Sequence, residues 1–264
     1  MSVLLIGAGR MGSALLKGWR AKGVKNIIVV EPKPSAEIKK LAKAKAITLV
    51  AAPSLVKAKR IDVCIVAIKP QILKGEAPTL TVIAQSGTLM ISIAAGTSVA
   101  ALQAAWGKKA RIIRAMPNTP GAIGKGITGL YAAKGATAAD KKHADGLLSA
   151  LGQTLWVNRE ALIDSVTALS GSGPAYVFHM VEAMAAAGVA AGLKAVDAGK
   201  LARATVAGAG ALLSADKSDA ADLRIAVTSP GGTTAAALAV LMPELTGLMT
   251  RAIAAAKKRA EALR

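Results

Sequence analysis

The 264 residues predict an α/β chain in two domains: a doubly wound parallel sheet over residues 1–158, then an all-helical domain over 159–264. Three observations carry this expectation. Short runs rich in valine and isoleucine alternate with helical patterns in the first part. A glycine-rich turn follows the first run. Beyond about residue 160 the strand pattern gives way to alanine-rich helix. Strand–helix–strand repetition of this kind folds as a parallel sheet with helices on both faces.

The expected strands are Val3–Ile6, Asn26–Val30, Val63–Ile68, Leu89–Ile93 and Arg111–Ala115. Each is almost continuously apolar, as a strand covered on both faces should be. Between them the periodicity predicts helices over Met11–Lys22, Ser35–Ala44, Leu55–Lys59 and Val99–Trp106. Ser35, Ser54 and Ser98 stand where an N-cap hydroxyl is wanted. In the second part the helices are expected at Ile163–Leu169, Ala175–Ala191, Val196–Ser214 and Pro243–Leu263, punctuated by glycines at 171, 173, 188, 192, 231 and 232. A helical array so rich in small residues packs closely and buries its face against a partner subunit, so an oligomer is expected.

Composition narrows the function classes. Apolar residues are 53% of the chain, enough for a packed core. A single cysteine, Cys64, excludes an internal disulfide and a multi-cysteine metal site, and no metal ligand set is expected. The net charge of +19 suggests a nucleic-acid partner at first sight. Six aromatic residues and no polybasic tail argue against one. Residues 1–60 hold 13 basic and 2 acidic groups, whereas residues 151–264 hold 11 and 9, so the charge is concentrated at the N-terminal end. The opening MSVLLIGAGRMG lacks the basic start of a signal peptide. The longest uncharged stretch, from Ala77 to the lysines before Ala110, is broken by Pro78, Gln85, Ser86, Gly87 and Gly96, so no membrane span is expected. A cytoplasmic protein is the expectation.

Ile6-Gly7-Ala8-Gly9-Arg10-Met11-Gly12 is a G-x-G-x-x-G between the first strand and the first helix. In that setting the first glycine makes the turn, the second admits a pyrophosphate and the third lets helix meet strand. The helix N-terminus adds free N–H groups and positive dipole. A dinucleotide-binding, Rossmann-like domain follows. Glu31 lies 24 residues after Gly7, at the end of the second strand. An acid there binds the ribose 2′-hydroxyl of NADH and repels a 2′-phosphate. Lys33, Ser35 and Arg10 are the groups able to hold that phosphate instead, so NADPH and NADH both remain open.

Three further segments are costly for plain structure. Ala67-Ile68-Lys69-Pro70-Gln71 and Met116-Pro117-Asn118-Thr119-Pro120 end buried strands, where open α/β sheets bind ligands. Asn118 can bind through both ends of its amide. Thr228-Ser229-Pro230-Gly231-Gly232-Thr233-Thr234 precedes the helical run Ala235–Leu241. It is either an anion site for a small carboxylate or an ordinary capping turn with Thr233 or Thr234 as N-cap. Leu169-Ser170-Gly171-Ser172-Gly173-Pro174-Ala175-Tyr176 is a similar turn with Pro174 at a helix start.

Taken together, Gly7–Gly12, Ala67–Gln71, Met116–Pro120, Ser170–Tyr176 with Glu182-Ala183-Met184, and Val227–Thr234 resemble the pyrroline-5-carboxylate reductase family over nearly the whole chain. S-G-S-G-P-A-Y with S-P-G-G-T-T is the specific part of the match. The resemblance implies NAD(P)H-dependent reduction of 1-pyrroline-5-carboxylate to L-proline, with NADPH as cofactor and NADH possible. It implies intertwined homodimers, assembled further in some cases up to a decamer; with the composition, no specific nucleic acid and no membrane partner is expected. The cofactor-binding candidates are Ile6, Gly7, Ala8, Gly9, Arg10, Met11, Gly12, Lys33, Ser35, Ser54, Ala67, Ile68, Lys69 and Pro70. The substrate-binding candidates are Asn118, Ser229, Gly231, Gly232, Thr233 and Thr234, with Thr234 as the catalytic hydroxyl on the ring nitrogen.

The chain departs from the family pattern at Ala186, where E-A-L-x-D-A-G has its aspartate, at Lys194, at Ala204, and at Ser218–Arg224, which lacks the usual His-Pro. These departures touch packing and assembly more than the reaction. Of the two histidines, His143 lies in a surface-like Lys141-Lys142-His143 run and His179 is expected to be packed and neutral. Other imine reductases and β-hydroxyacid dehydrogenases are the alternative. The latter need a lysine with an asparagine three residues on in the helical domain, and asparagine occurs only at 26, 118 and 158.

Overall fold

The structure is a computed structural model and describes residues 1–56 and 60–263. An eight-stranded sheet is built from β1 (Val3–Ile6), β2 (Ile27–Val30), β3 (Thr48–Val50), β4 (Val63–Val66), β5 (Leu89–Ser92), β6 (Arg111–Met116), β7 (Gly126–Ala132) and β8 (Gly152–Trp156). The strand order is β3-β2-β1-β4-β5-β6-β7-β8. Val3 pairs in parallel with Ile27 on one side and Val63 on the other, so β1 is flanked by the two directions in which the chain winds. Among the described residues only β6 and β7 pair antiparallel. β7 and β8 are parallel to each other.

Successive residues of each central strand enter opposite layers. Val3, Leu5, Val63, Ile65, Leu89 and Ile91 join one buried cluster with Leu15, Trp19 and Leu147. Leu4, Ile6, Cys64, Val66, Met90 and Ile112 join the other with Leu73, Leu80, Leu102 and Trp106. Both faces are therefore dry, which is why these strands read as unbroken apolar runs. Burial pushes the Cys64 thiol pKa up, so the group stays protonated and unreactive.

Helices cover the sheet: α1 (Arg10–Ala21), α2 (Ala36–Lys43), α3 (Pro70–Glu76), α4 (Thr81–Gln85), α5 (Val99–Trp106) and α6 (Ala138–Leu148). Ser35 and Ser98 cap α2 and α5 by accepting from the Ile38 and Ala101 N–H groups. α6 starts on a capping box between Thr137 and Asp140. Trp19 donates its indole N–H to the Leu147 carbonyl at 2.8 Å, joining α1 to α6.

Two strands and three helices of this part, β7, β8, α3, α4 and α6, are absent from the sequence expectation, as is the three-residue β3. The expected helix Leu55–Lys59 is replaced at its start by a single 3₁₀ turn, Pro53–Leu55. Lys57–Lys59 lie outside the described residues. The expected strand Val63–Ile68 stops at Val66, where the chain turns toward Lys69 and Pro70.

The helical part comprises α7 (Leu162–Val166), α8 (Gly173–Ala190), α9 (Ala195–Ala215), α10 (Ala220–Ala226) and α11 (Thr233–Ala262). The helical run expected at Ala235–Leu241 and the helix expected from Pro243 are one helix that starts at Thr233, with Pro243 inside it. A π-helical turn, Thr167–Gly171, follows α7. By packing, the chain divides into Met1–Gly171 with the residues from Ala256 onward, and Ser172–Ala255. This division falls after the boundary expected at 158. The reason is that α7 and the π turn are packed on the sheet: a Cβ at Gly129 would lie 2.5 Å from Val166, and one at Gly171 2.8 Å from the Met116 methyl.

In the second unit α8 and α9 pack through Gly188 and Ala198. Ala198 and Ala202 are its buried apolar residues, while Phe178, Val196, Leu213, Ile225 and Val240 are exposed. This unit by itself has almost no dry core. Among the described residues, α11 is long and apolar enough to cross a membrane by length and composition. Its last turns are folded into the first unit, with Ala260 buried and the Leu263 carbonyl against the turn at Gly96.

Arg114 on β6 is 2% exposed. Its guanidinium meets Glu160 at 3.0 Å and Asp164 at 3.7 Å. The same Glu160 oxygen accepts the N–H of Val99, the first residue of α5, at 2.7 Å. One cation thus ties the sheet, the start of α5 and the segment carrying α7. Arg114→Met removes the charge that balances two carboxylates, and the expected loss is about 3 kcal/mol of stability or more, read by urea unfolding.

Candidate functional site

The loop after β1 and the loop after β4 meet at the point where the chain reverses its winding direction, the usual ligand crevice of such sheets. Gly7 is at φ +91°, and a Cβ there would fall 2.7 Å from Ile68 and 2.9 Å from the Ala67 carbonyl oxygen. Only glycine permits this closeness. A Cβ at Gly12 would strike the Gly7 carbonyl oxygen. Gly9 differs: nothing lies within 4 Å of a Cβ built on it, so its surroundings are open. α1 begins at Gly9 without a side-chain cap and without an acidic residue in its first turn. Its free N–H groups are available to an anion. An open cradle and an uncapped helix start with no acidic residue in its first turn fit a dinucleotide pyrophosphate.

The loop is fastened from several sides. Gly7 donates to the Val30 carbonyl at 2.9 Å, and Ala67 donates to the Ile6 carbonyl at 2.8 Å. Ser13 returns its hydroxyl to the Ala8 carbonyl at 2.7 Å. Glu31 accepts the Ala8 N–H at 2.8 Å on one oxygen and the Lys33 N–H at 3.0 Å on the other. Sequence reasoning placed Glu31 at the ribose but missed that it braces the loop, and missed Ser13 entirely. The G-x-G-x-x-G spacing carries no signal for either contact.

The first unit brings Ile6–Gly12, Lys33, Ser35 and Ala67–Pro70 to the same edge of the sheet. Lys69 is exposed just before α3, whose first residue is Pro70. Ser35 is exposed and its oxygen already accepts the Ile38 N–H. Ser54, with Arg60, Thr79, Val82 and Ser86, lines a cavity of about 370 Å³ whose walls include none of the glycine loop. Asn118 uses both ends of its amide on the main chain. Its Oδ1 accepts the Ile127 N–H at 3.0 Å, and its Nδ2 donates to the Ser170 carbonyl at 3.2 Å. It clamps β7 and the π turn to the loop after β6.

The second unit carries Ser229–Thr234. Gly232 N–H closes a turn on the Ser229 carbonyl at 3.0 Å, with Gly231 at φ +70°. A Cβ on Gly232 would lie 2.5 Å from the Ser229 hydroxyl oxygen. Thr233 opens α11, which has no acidic residue in its first turn. Ser229 and Thr233 are exposed, while Gly232 and Thr234 are half-buried. Hydroxyls, a bare backbone and a positive helix end suit a small carboxylate. His179 is not packed as expected. It is exposed on α8 and pairs with Glu182 at 3.0 Å, because this face of the unit has no covering layer. Among the described residues no cluster of metal-ligating side chains occurs.

Residues 160–263 match the family model for pyrroline-5-carboxylate reductase dimerisation. Residues 2–96 match that for NADP oxidoreductase, coenzyme F420-dependent. The pyrroline-5-carboxylate reductase of Pseudomonas aeruginosa is 39% identical over 99% of this chain and 96% of its own length. Among solved structures, the pyrroline-5-carboxylate reductase of Coxiella burnetii superposes with a TM-score of 0.90 at 34% identity, covering 99% of this chain and 98% of that one. The Plasmodium falciparum pyrroline carboxylate reductase, solved with NADP bound, gives 0.81 at 26% identity, covering 100% and 98%.

Two glycines should respond in opposite ways. Gly9→Val has room and should fold with unchanged Tm, yet lose nicotinamide-cofactor affinity by about 100-fold or more, because its side chain enters the pyrophosphate space. Gly12→Ala should instead lower Tm. Calorimetric titration beside thermal unfolding separates the two.

Proposed function

The chain belongs to the pyrroline-5-carboxylate reductase family, and from that premise we propose how its residues carry the reduction of 1-pyrroline-5-carboxylate to L-proline, the closing step of proline biosynthesis. The observation that carries this reading is the end-to-end match to the Pseudomonas aeruginosa reductase, 39% identical over 99% of the chain.

When bound, the reduced nicotinamide of NADPH, or of NADH, supplies a hydride from C4 to the imine carbon. The chain's own part is positioning and charge. The N–H groups at the start of α1 and the open space at Gly9 hold the diphosphate. The Ala67–Pro70 segment lies against the same crevice and fixes the nicotinamide end. Ser229 and the N–H groups of Gly231–Thr233 hold the substrate carboxylate, aided by the positive end of α11. The Thr234 hydroxyl accepts a hydrogen bond from the N–H of the protonated ring nitrogen. The cyclic imine enters already protonated, so hydride addition to carbon leaves a neutral secondary amine and no dedicated acid is required. The absence of a histidine from both loops agrees with this.

Asn118 serves the site through the loop it clamps and has lone-pair and N–H capacity left for the substrate. The bare apolar surface of the second unit and the dimerisation match support a homo-oligomer. Its form on this reading is a homodimer that associates further, up to a decamer, in the cytoplasm, where Cys64 stays reduced. No nucleic acid or membrane enters the reading.

Purified protein given pyrroline-5-carboxylate should oxidise NADPH or NADH, followed by absorbance, and oxidation of neither would overturn the activity. Thr234→Ala should lower kcat/KM by roughly 10- to 100-fold, the worth of one hydrogen bond to a charged group, with cofactor Kd unchanged. Full retention of kcat/KM would remove Thr234 from the mechanism.

A further inference from the structure

We propose that Ser13 readies the glycine loop for a diphosphate: its hydroxyl fixes the Ala8–Gly9 peptide so that the Gly9 N–H faces outward from the loop. The inference rests on the glycine loop being the cofactor site. It makes Ser13 a positioning residue, acting on the cofactor through the main chain.

Ser13 stands one position after the last glycine of the motif, half-buried in the first turn of α1. It holds two successive carbonyls of the loop. Its hydroxyl donates to the Ala8 carbonyl at 2.7 Å, and its main-chain N–H donates to the Gly9 carbonyl at 2.8 Å. A trans peptide is planar, with its C=O and N–H pointing in opposite directions. Drawing the Ala8 carbonyl toward Ser13 therefore turns the Gly9 N–H away from it. Drawing the Gly9 carbonyl does the same for the Arg10 N–H. Gly9 is exposed, and among the described residues its N–H has no hydrogen-bond partner. Successive N–H groups turned outward at the positive end of a helix form a concavity for an anion.

The loop does not hold this orientation unaided. Ala8 stands between Gly7 and Gly9, and glycine adopts either sign of φ at little cost, so rotation of the Ala8–Gly9 peptide is soft. A half-turn of that plane would aim the Ala8 carbonyl, the negative end of its dipole, at the diphosphate. The preceding peptide is held separately, because the Ala8 N–H is donated to Glu31 at 2.8 Å. The Ala8–Gly9 plane is left to the Ser13 hydroxyl. Ala8 is buried, so its carbonyl needs a donor inside the protein. Ser13 supplies that donor from the helix whose free N–H groups meet the diphosphate, and the anion site and its brace are one body.

The test is calorimetric titration of NADPH, NADH and ADP into the full chain, into Ser13→Ala and into Ser13→Thr, with Tm measured in parallel. The alanine removes the hydroxyl, keeps the main-chain bond to Gly9 and suits a helix. The expected result is a Kd raised about 5- to 10-fold for all three ligands, which share the diphosphate, with the number of binding sites per chain unchanged. Ser13→Thr, which restores the hydroxyl, should bind as the wild-type chain does. A merely structural role lowers Tm and the number of competent sites and leaves Kd unmoved, which overturns the proposal. Weaker dinucleotides with ADP unmoved place the effect away from the diphosphate and overturn it too, as does Ser13→Thr binding no better than Ser13→Ala. Failure of the wild-type chain to bind any of the three would overturn the cofactor reading beneath, and the proposal with it. Wild-type binding that Ser13→Ala leaves unchanged overturns the role of Ser13 alone.

Discussion

A parallel sheet buried on both faces can meet a ligand only at its rim. Every central strand here spends its side chains on two dry layers and its backbone on its neighbours. The loops leaving the strand ends are the remaining places with free N–H groups. The position of the cofactor loop is thus a consequence of the core: β1 sits where the winding reverses, the point at which such sheets open a crevice beyond their strand ends. Gly7 and Gly12 exist to let that loop lie flat against Ala67 and the helix, and Gly9 leaves it open. The buried Arg114 extends the same logic outward, holding α5 and the 160–171 segment against one strand. That segment leads directly into the second unit.

Much of this was legible in the sequence, and the reasons are physical. The five strands between dry layers, β1, β2, β4, β5 and β6, announce themselves as valine and isoleucine runs because nothing else fits there. The glycine loop is legible because its spacing, its strand and its helix agree. β7 and β8 are not, because Gly126, Gly129 and Gly152 interrupt their pattern. Those glycines are there for close approach: Gly129 lies under Val166, and Gly152 meets the backbone of Gly126. α6 hides behind Lys141-Lys142-His143, although its Thr137–Asp140 box marks its start. Pro243 reads as a helix start and lies inside one.

Side-chain partners were less legible than elements. Asn118 reads as a binding residue because its amide has two ends, and no local pattern announces that each end also holds main chain, at Ile127 and Ser170. Glu31 looks like a sugar ligand, and its link to Ala8 crosses 23 residues of sequence that no local pattern joins. His179 looks like a core residue because its helix is apolar, but the helix has little of its own chain to pack against. In each case the missing information is which surface a side chain faces in three dimensions.

That last point reaches beyond histidine. A unit with two buried alanines and a wide display of leucine, valine and phenylalanine does not hold its shape through its own interior. Its folding free energy is borrowed from association, so it follows mass action. Dilution then acts on such a chain as a denaturant does. The amount of competent protein in a cell rises more steeply than the amount synthesised, and a newly made chain remains vulnerable until it meets a second one.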